Sequence, residues 1–503
     1  MKKVFLENIT RYIAALVLAL AAIVSIWFLL SNLVPLASIP YSFFIICTVG
    51  FIIFLKLFAN NFLQRIASYI LKITAYRYFP LLALTALALI GITVRLLFYY
   101  RYSYAPLSDQ LSFFDAAQKI ADGHGLTGDS YPAFFPYLAA YDNILGLAMR
   151  LIHDPWLATI LLNTIFDLGS AVATYFLVKK ITKTGSKLPL IAFGLWLFCP
   201  LNILFSVLAL PIIIVNFFII TALLVVCLLH EKLTTKNISS SLLLASLLGV
   251  VIGIGNCFRP IFTIVIVALF LLLLYILVTA KNNKRLPLLL GSSFLLVVVI
   301  FFGIQKLNLT LVAAETGFTP ASNASGWSVF VGSNSDSNGT WNREDEVRMS
   351  LICKDNKNFD SCHDKLRQAG IERYKSHGLS GTMDLFIRKL NIFSGSQGGF
   401  YNTNMTITSD IESRVVKIIN TYTPIFLLIT FYLTARLLYL SSKTYLSKKE
   451  VSPVVVFIAL ILVGFFVSSI FVETSPRYAL IMYPLFIVLT TLSFNTPHSK
   501  KVS

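Results

Sequence analysis

The chain has 503 residues, of which 57% are hydrophobic and 13% charged, against about 45–50% and about 25% in an ordinary soluble domain. A water-soluble protein is excluded. Forty-one Lys and Arg against 23 Asp and Glu give +18, a balance that raises nucleic acid as a partner until the positions of the charges are known.

Apolar runs of about 20 residues cross a hydrocarbon core of roughly 30 Å as helices. Twelve such runs are legible, at 11–35, 41–59, 79–99, 156–178, 188–206, 210–229, 241–258, 260–279, 287–304, 420–440, 452–472 and 478–494. The fifth and sixth share one apolar stretch punctuated by Pro200 and Pro211. The sequence therefore predicts an all-α polytopic membrane protein in three parts. A transmembrane module of about nine helices occupies 1–304, an extracytoplasmic loop domain 305–419, and a module of about three helices 420–503.

An even helix count returns both termini to one side. With the termini in the cytoplasm, segments 1–11, 56–77, 179–187, 230–240, 281–285, 436–450 and 495–503 hold 22 of the 41 basic residues, but only Glu7, Glu231 and Glu450 among the acids. The cytoplasmic face carries +19 and the rest of the chain about −1. Short cytoplasmic loops of membrane proteins are enriched in this way, and the excess also attracts anionic lipid heads. Nucleic acid is no longer needed as a partner. Lys2 and Lys3 precede an apolar run longer than the 7–15-residue core of a secretory signal, so an uncleaved first helix in a plasma membrane is expected.

Two outer segments, 101–155 and 305–419, are too long to be mere connectors, and loops of that length are usually functional. In the first, Ser108 is placed as an N-cap and Gly123 as a stop. Between them Leu111, Phe113, Phe114, Ala117, Ile120 and Ala121 share one face of a short amphipathic helix on the outer membrane surface. Asp109 falls in its first turn, either as an acid complementing the helix dipole or as a functional carboxylate at the water–lipid boundary. Asp167 lies inside the fourth membrane helix, where an ionisable group is costly and is either functional or paired with a group of another helix. Asn163, one turn earlier on the same face, is within reach to hydrogen-bond it.

Arg259 precedes Pro260 where the seventh helix ends outside. Arg477 and Tyr478 follow Glu473 between the eleventh and twelfth. Each guanidinium either snorkels or offers its fixed fork to phosphate oxygens. In the large outer segment Cys353 and Cys362 are the only cysteines outside the predicted membrane helices, and an oxidising exterior would allow a disulfide between them. No Cys or His spacing resembles a zinc site.

In this order the features resemble the integral-membrane glycosyltransferases of the GT-C class, which include the protein O-mannosyltransferases and the bacterial lipid A aminoarabinose transferases. Ser108-Asp109, with Ala116-Ala117, Ile120 and Gly123, looks like the acid, aromatic, alanine and glycine run of that class's first outer loop. Phe113 or Phe114 stands where a tyrosine is common. The segment Tyr131 to Tyr137 is similar to a proline-aromatic stretch that re-enters the membrane surface. Asn163 to Gly169, around Asp167, looks like an acid-bearing fourth helix. Gly326 to Asn334, then Gly339 to Asn342, resembles a Gly/Asn pattern, and His377 to Phe393, with Lys389, an amphipathic return segment. Arg477-Tyr478 before Tyr483-Pro484 is similar to a closing Arg-Tyr motif. One departure is that 207–215, after Pro200 and Ser206, lacks the acid many members carry there. This shifts the search for a second carboxylate to Asp167 or to Asp115, Asp122 or Asp129.

The resemblance implies a sugar donor on polyprenyl phosphate, an extracytoplasmic hydroxyl acceptor on a cell-envelope polymer, glycolipid or protein, and transfer of a hexosyl or pentosyl group with inversion. Asp109 would be general base or ligand of a divalent metal ion, and Asp167 the second catalytic acid. Arg259, Arg477 and Lys389 would hold donor phosphate, and Asp115, Tyr131, Glu473 and Tyr478 would support them. Two other classes fit twelve helices. A surface-polysaccharide polymerase or ligase would use Arg343, Arg348, His363, Arg367 and His377 of the late loop, and a lipid-linked-sugar flippase or transporter would show internal repeats and broken helix pairs.

Overall fold

The computed structural model describes residues 2–33, 79–101, 106, 108–182, 186–235, 237–279, 286–354, 358–395, 410–447 and 452–494, with side chains described from Thr10 in the first helix and from Tyr422 in the helix that begins at Asp410. In chain order the helices are α1 (Lys2–Leu33), α2 (Phe79–Arg101), α3 (Asp109–Ala121), α4 (Ser130–Phe134), α5 (Ala139–Ile152), α6 (Pro155–Ile181), α7 (Leu188–Leu197), α8 (Pro200–Phe205) and α9 (Ile212–Thr234). They continue with α10 (Ile238–Phe258), α11 (Thr263–Thr279), α12 (Leu286–Thr316), α13 (Ser325–Gly332), α14 (Arg343–Ile352), α15 (Phe359–Ser394), α16 (Asp410–Leu446) and α17 (Pro453–Phe471). A 3₁₀ turn (Pro476–Met482) leads into α18 (Tyr483–Ser493). Among the described residues the only β feature is an isolated bridge between Thr319 and Asn358, so the protein is an all-α polytopic membrane protein.

Among the described residues nine helices are long and apolar enough to cross a bilayer. The run expected at 41–59 lies outside the described residues. Two further expectations change shape. The span expected at 188–206 is broken into α7 and α8, because Pro200 has no N–H to give the carbonyl of Trp196. The Asn202 side chain donates to that carbonyl instead, at 3.3 Å. Such a break is tolerated at membrane depth only where protein covers it, and all six residues of α8 are buried. The span expected from 260 starts at Thr263, behind a turn in which the Phe262 amide donates to the Asn256 side chain at 3.2 Å.

Helix α12 has 31 residues, about 46 Å at 1.5 Å per residue, so it runs well past the hydrocarbon. The boundary expected at 304 falls inside it, and that expected at 419 falls inside α16. The projecting end carries the first outer loop. Asn308 donates to the Pro136 carbonyl at 3.1 Å, Asn143 to Glu315 at 3.1 Å, and the Gly128 amide to the Thr316 carbonyl at 3.1 Å.

The first outer loop contains α3, as expected, but its buried face differs. Gln110, Phe113, Ala116 and Ala117 are buried and Leu111 is exposed, because α3 packs on α5. The Phe113 ring meets Tyr141 edge-on at 5.6 Å. Gly146 permits the approach, since a Cβ there would stand 2.8 Å from the Ala117 carbonyl. Gly123, with φ 85°, ends the helix region as expected. Ser108 holds the N-cap position, but its side chain makes no capping bond.

In the outer domain, Cys353 and Cys362 are joined in a disulfide that ties the end of α14 to the start of α15. Asp345, 1% exposed, gathers Asn334 at 2.9 Å, Asn342 at 2.8 Å and Arg373 at 3.0 Å. His363 ties this domain to the first outer loop. Its Nδ1 accepts from the Trp327 amide at 3.3 Å and its Nε2 faces the Phe134 carbonyl at 3.0 Å, which requires the neutral ring with the proton on Nε2. Burial pushes its pKa down to about 4.

Candidate functional site

Three remote stretches meet at one end of the membrane helices, on the side of the 305–419 segment. Asp109 is the first residue of α3, and its carboxylate pairs with Arg477 at the start of the 3₁₀ turn. The pair is open to solvent, at 34% exposure for Asp109 and 16% for Arg477. Arg259 leaves α10 in an extended conformation, as a residue before proline must, and its guanidinium stacks on the Tyr478 ring at 4.1 Å. The Arg477 guanidinium lies 5.4 Å from the same ring. Cation–π contacts at these distances gather both guanidiniums about one aromatic ring.

Glu473 is positioned from the outer domain. Its amide donates to the Ser328 carbonyl at 2.6 Å, and the next amide, of Thr474, donates to the Gly339 carbonyl at 2.8 Å. Gly332 leaves room for this crossing. Burial pushes the Glu473 carboxyl above its ordinary range, partly offset by Arg477. Tyr131 and Tyr137, on either side of the buried Phe134-Phe135-Pro136 turn, complete the cluster. Desolvation raises both phenols, although Tyr131 keeps 37% of its surface exposed, and the charge of Asp109 raises them further. At neutral pH the two tyrosines are hydroxyl donors facing a set of two carboxyl groups and two guanidiniums.

Arg259 is the available cation of this set. Among the described residues no carboxylate lies within ion-pair distance of it, and it is partly exposed. The arrangement places Arg259, which has no carboxylate within ion-pair distance among the described residues, on the same tyrosine as the Arg477 guanidinium that holds the partly exposed Asp109.

The other sequence candidates are elsewhere. Asp115 sits on the exposed face of α3 and is not part of the cluster. Lys389 is fully buried inside the outer domain, where its ammonium donates to the Gly332 carbonyl at 2.8 Å and to the Tyr374 hydroxyl at 3.1 Å. It lies under the Glu473 segment, which it helps to hold, since the Thr474 hydroxyl bonds the Lys389 carbonyl at 3.4 Å.

Asp167 is completely buried against Arg95 of α2, and its second oxygen accepts from the Trp196 indole at 2.8 Å. Arg95 also donates to the Gly91 and Leu197 carbonyls at 2.9 and 3.1 Å. Both carboxylate oxygens are thus occupied by α2 and α7. Asn163 does not reach Asp167: it donates to the Ser206 and Leu208 carbonyls, at 3.0 and 2.9 Å, closing the irregular backbone after α8. Sequence reasoning missed Arg95, although a lone arginine deep in an apolar run signals a buried partner.

Of the late-loop groups a polymerase would use, Arg343, Arg348 and Arg367 lie in exposed pairs with Glu346, Glu344 and Asp364, and His363 and His377 bond backbone carbonyls. Among the described residues no three His, Cys, Asp or Glu side chains gather as metal ligands. The Asp109 carboxylate is paired with Arg477.

Neither a protein-family model nor a curated protein matches the chain. Among solved structures it is similar to the archaeal oligosaccharyltransferase AglB from Archaeoglobus fulgidus in complex with an inhibitory peptide and a dolichol-phosphate. The identity is 13%, the match covers 83% of this chain and 50% of that one, and the TM-score is 0.47. The chain thus spans about half the length of that protein.

Proposed function

We propose that the cluster around Asp109 and Arg477 is the reaction centre of a GT-C-type membrane glycosyltransferase, which moves a sugar from a polyprenyl-phosphate donor to an extracytoplasmic hydroxyl. The observation that carries this reading is the meeting of a solvent-accessible carboxylate with two guanidiniums on one tyrosine, at the level where a lipid headgroup would lie.

Glycosyl transfer needs the acceptor oxygen deprotonated and the departing phosphate stabilised as positive charge develops on the sugar. Asp109 takes the acceptor proton. The acceptor oxygen bonds to the anomeric carbon as the bond from that carbon to the phosphate oxygen breaks, on the opposite face, so configuration inverts. The polyprenyl phosphate leaves with the bonding pair, held by Arg259 and by Arg477, which shifts part of its hydrogen bonding from Asp109 to phosphate. Tyr131 and Tyr137 donate hydrogen bonds to substrate oxygens. Asp167 and Lys389 act at a distance, the first by fixing α2, α6 and α7, the second by holding the Glu473 segment.

The test is mass analysis of lipid-linked sugars and envelope glycans in cells with the wild-type chain, with Arg259→Gln, and without the chain. Loss of the chain accumulates one polyprenyl-phosphate sugar and depletes one glycan. Arg259→Gln gives a partial version of the same pattern, since a charge-assisted bond worth about 1.5–3 kcal/mol corresponds to roughly 10- to 100-fold in donor affinity. An unchanged lipid-linked pool and unchanged glycans without the chain refute the proposal.

A further inference from the structure

Helix α15 is two helices joined at Gly378, whose φ of 64° turns the chain. The first half belongs to the outer domain. The second half, 379–394, is divided into three sectors. Leu385, Lys389 and Phe393 are buried against the protein. Ser380, Asp384, Arg388 and Asn391 form a polar edge, with Asp384 and Arg388 paired at 3.0 Å. Between these, Leu379, Met383 and Ile387 are 84%, 51% and 48% exposed, and at 100° per residue they share one sector with Phe386 and Leu390. In water that apolar sector would be wasted.

This helix is held against membrane helices at its middle and at its end. At its middle the Phe386 ring meets Phe471 at 5.3 Å, and just before Gly378 the Tyr374 hydroxyl donates to the Phe471 carbonyl at 3.2 Å. Phe471 is the last residue of α17 and, with Val467 one turn before it, is exposed on the lipid-facing side. At its end the Asn32 side chain of α1 donates to the Ser394 carbonyl at 2.7 Å, and Ser31 and Ser394 share a hydroxyl bond of 2.7 Å. A helix held at its middle to the rim of α17 and at its end to the rim of α1 lies along the membrane boundary, and its apolar sector continues the exposed surface of α17.

We propose that residues 379–394 form an interfacial helix that beds Leu379, Met383, Ile387 and Leu390 into the outer leaflet, so that the lipid surface itself is a partner of the outer domain and sets the height of the Glu473 segment above the bilayer. The occupant of the exposed sector is the boundary of acyl chains and headgroups, with Asp384, Arg388 and Asn391 turned to water. This does not depend on what reaction the site carries out.

The full-length protein is reconstituted in vesicles containing a phospholipid with a photoactivatable carbene precursor high in its acyl chain, and adducts are mapped by mass spectrometry. Peptides from α1 and α17 serve as internal positives. Adducts are expected on Leu379, Met383 and Ile387 and absent from Ser380, Asp384 and Asn391. Labelled α1 and α17 with an unlabelled 379–390 segment overturns the proposal, and so does labelling spread equally over the polar edge. Single cysteines give a second readout, with Met383→Cys shielded from a charged, membrane-impermeant maleimide and Asp384→Cys modified freely. Equal modification of the two contradicts the placement.

Discussion

Replacing Asp109 by asparagine separates a catalytic carboxylate from a structural one, because the two roles predict different magnitudes. The side chain keeps its shape and loses its charge. As a structural element, the Asp109–Arg477 pair is partly exposed on both sides, at 34% and 16%, and such pairs contribute about 1 kcal/mol or less after screening and side-chain ordering. Asp109→Asn should therefore leave the thermal midpoint in detergent within a few degrees of wild type. As a general base, the carboxylate contributes about 10²- to 10⁴-fold in rate, near 3–5 kcal/mol of barrier. The assay is sugar transfer in vesicles from polyprenyl-phosphate donors, with Asp109→Glu alongside as a displaced base expected to recover part of the rate. Transfer within a few-fold of wild type in Asp109→Asn refutes the base assignment. A lost rate accompanied by a collapse in stability refutes the claim that the pair is peripheral to the fold.

The pair inside the membrane behaves oppositely. Asp167→Asn leaves the Arg95 guanidinium buried without its counter-charge, which costs about 3–5 kcal/mol, whereas replacing both partners by apolar residues recovers much of that. Thermal unfolding of Asp167→Asn and of Arg95→Met/Asp167→Leu measures the difference, and equal stabilities contradict the reading. Lys389 gives a pH signature. Burial lowers its folded pKa to about 7 from 10.5, so between those values the unfolded chain holds a proton that the folded chain has shed. Stability therefore rises with pH from about 7 towards 10.5. Lys389→Met should remove that rise in melting temperature, and a wild-type slope in the variant sinks the assignment.

How much of this was legible depended on whether a feature is local in sequence. The membrane segments follow from 20-residue apolar runs, and Asp109, Arg259, Glu473, Arg477 and Tyr478 stood out because charged and aromatic residues at helix ends are conspicuous. What could not be read was which of them touch. Asp109 and Arg477 are 368 positions apart, and nothing in either neighbourhood specifies the other. Asp167 was visible as a costly charge, but its partner Arg95 lies 72 positions earlier. Lys389 sits in an amphipathic segment where sequence cannot distinguish a lysine that faces a phosphate from one turned inward to a backbone carbonyl. Leu111 shares the expected apolar face yet is exposed, because the helical period fixes a stripe and leaves open which neighbour covers each of its residues.

The outer domain and the site are one mechanical unit, and Gly332 tests this. A Cβ at position 332 would stand 2.4 Å from the Val472 carbonyl carbon and 2.7 Å from the Glu473 amide nitrogen. Ordinary contact needs about 1 Å more, and both obstacles are backbone, so Gly332→Ala must push the 472–474 segment away. That segment carries Glu473 and leads directly into Arg477 and Tyr478. A displacement of about 1 Å at a reaction centre can cost on the order of 10²-fold in rate. The Cys353–Cys362 disulfide provides the comparison. It ties the end of α14 to the start of α15, so Cys353→Ser/Cys362→Ser loosens the domain without placing any atom against the 472–474 backbone. If the domain positions the site, Gly332→Ala loses sugar transfer far more than the double serine variant at matched loss of thermal stability. Equal loss in the two variants shows that the domain merely has to be folded, and full transfer in Gly332→Ala shows that the Glu473 segment has no part in catalysis.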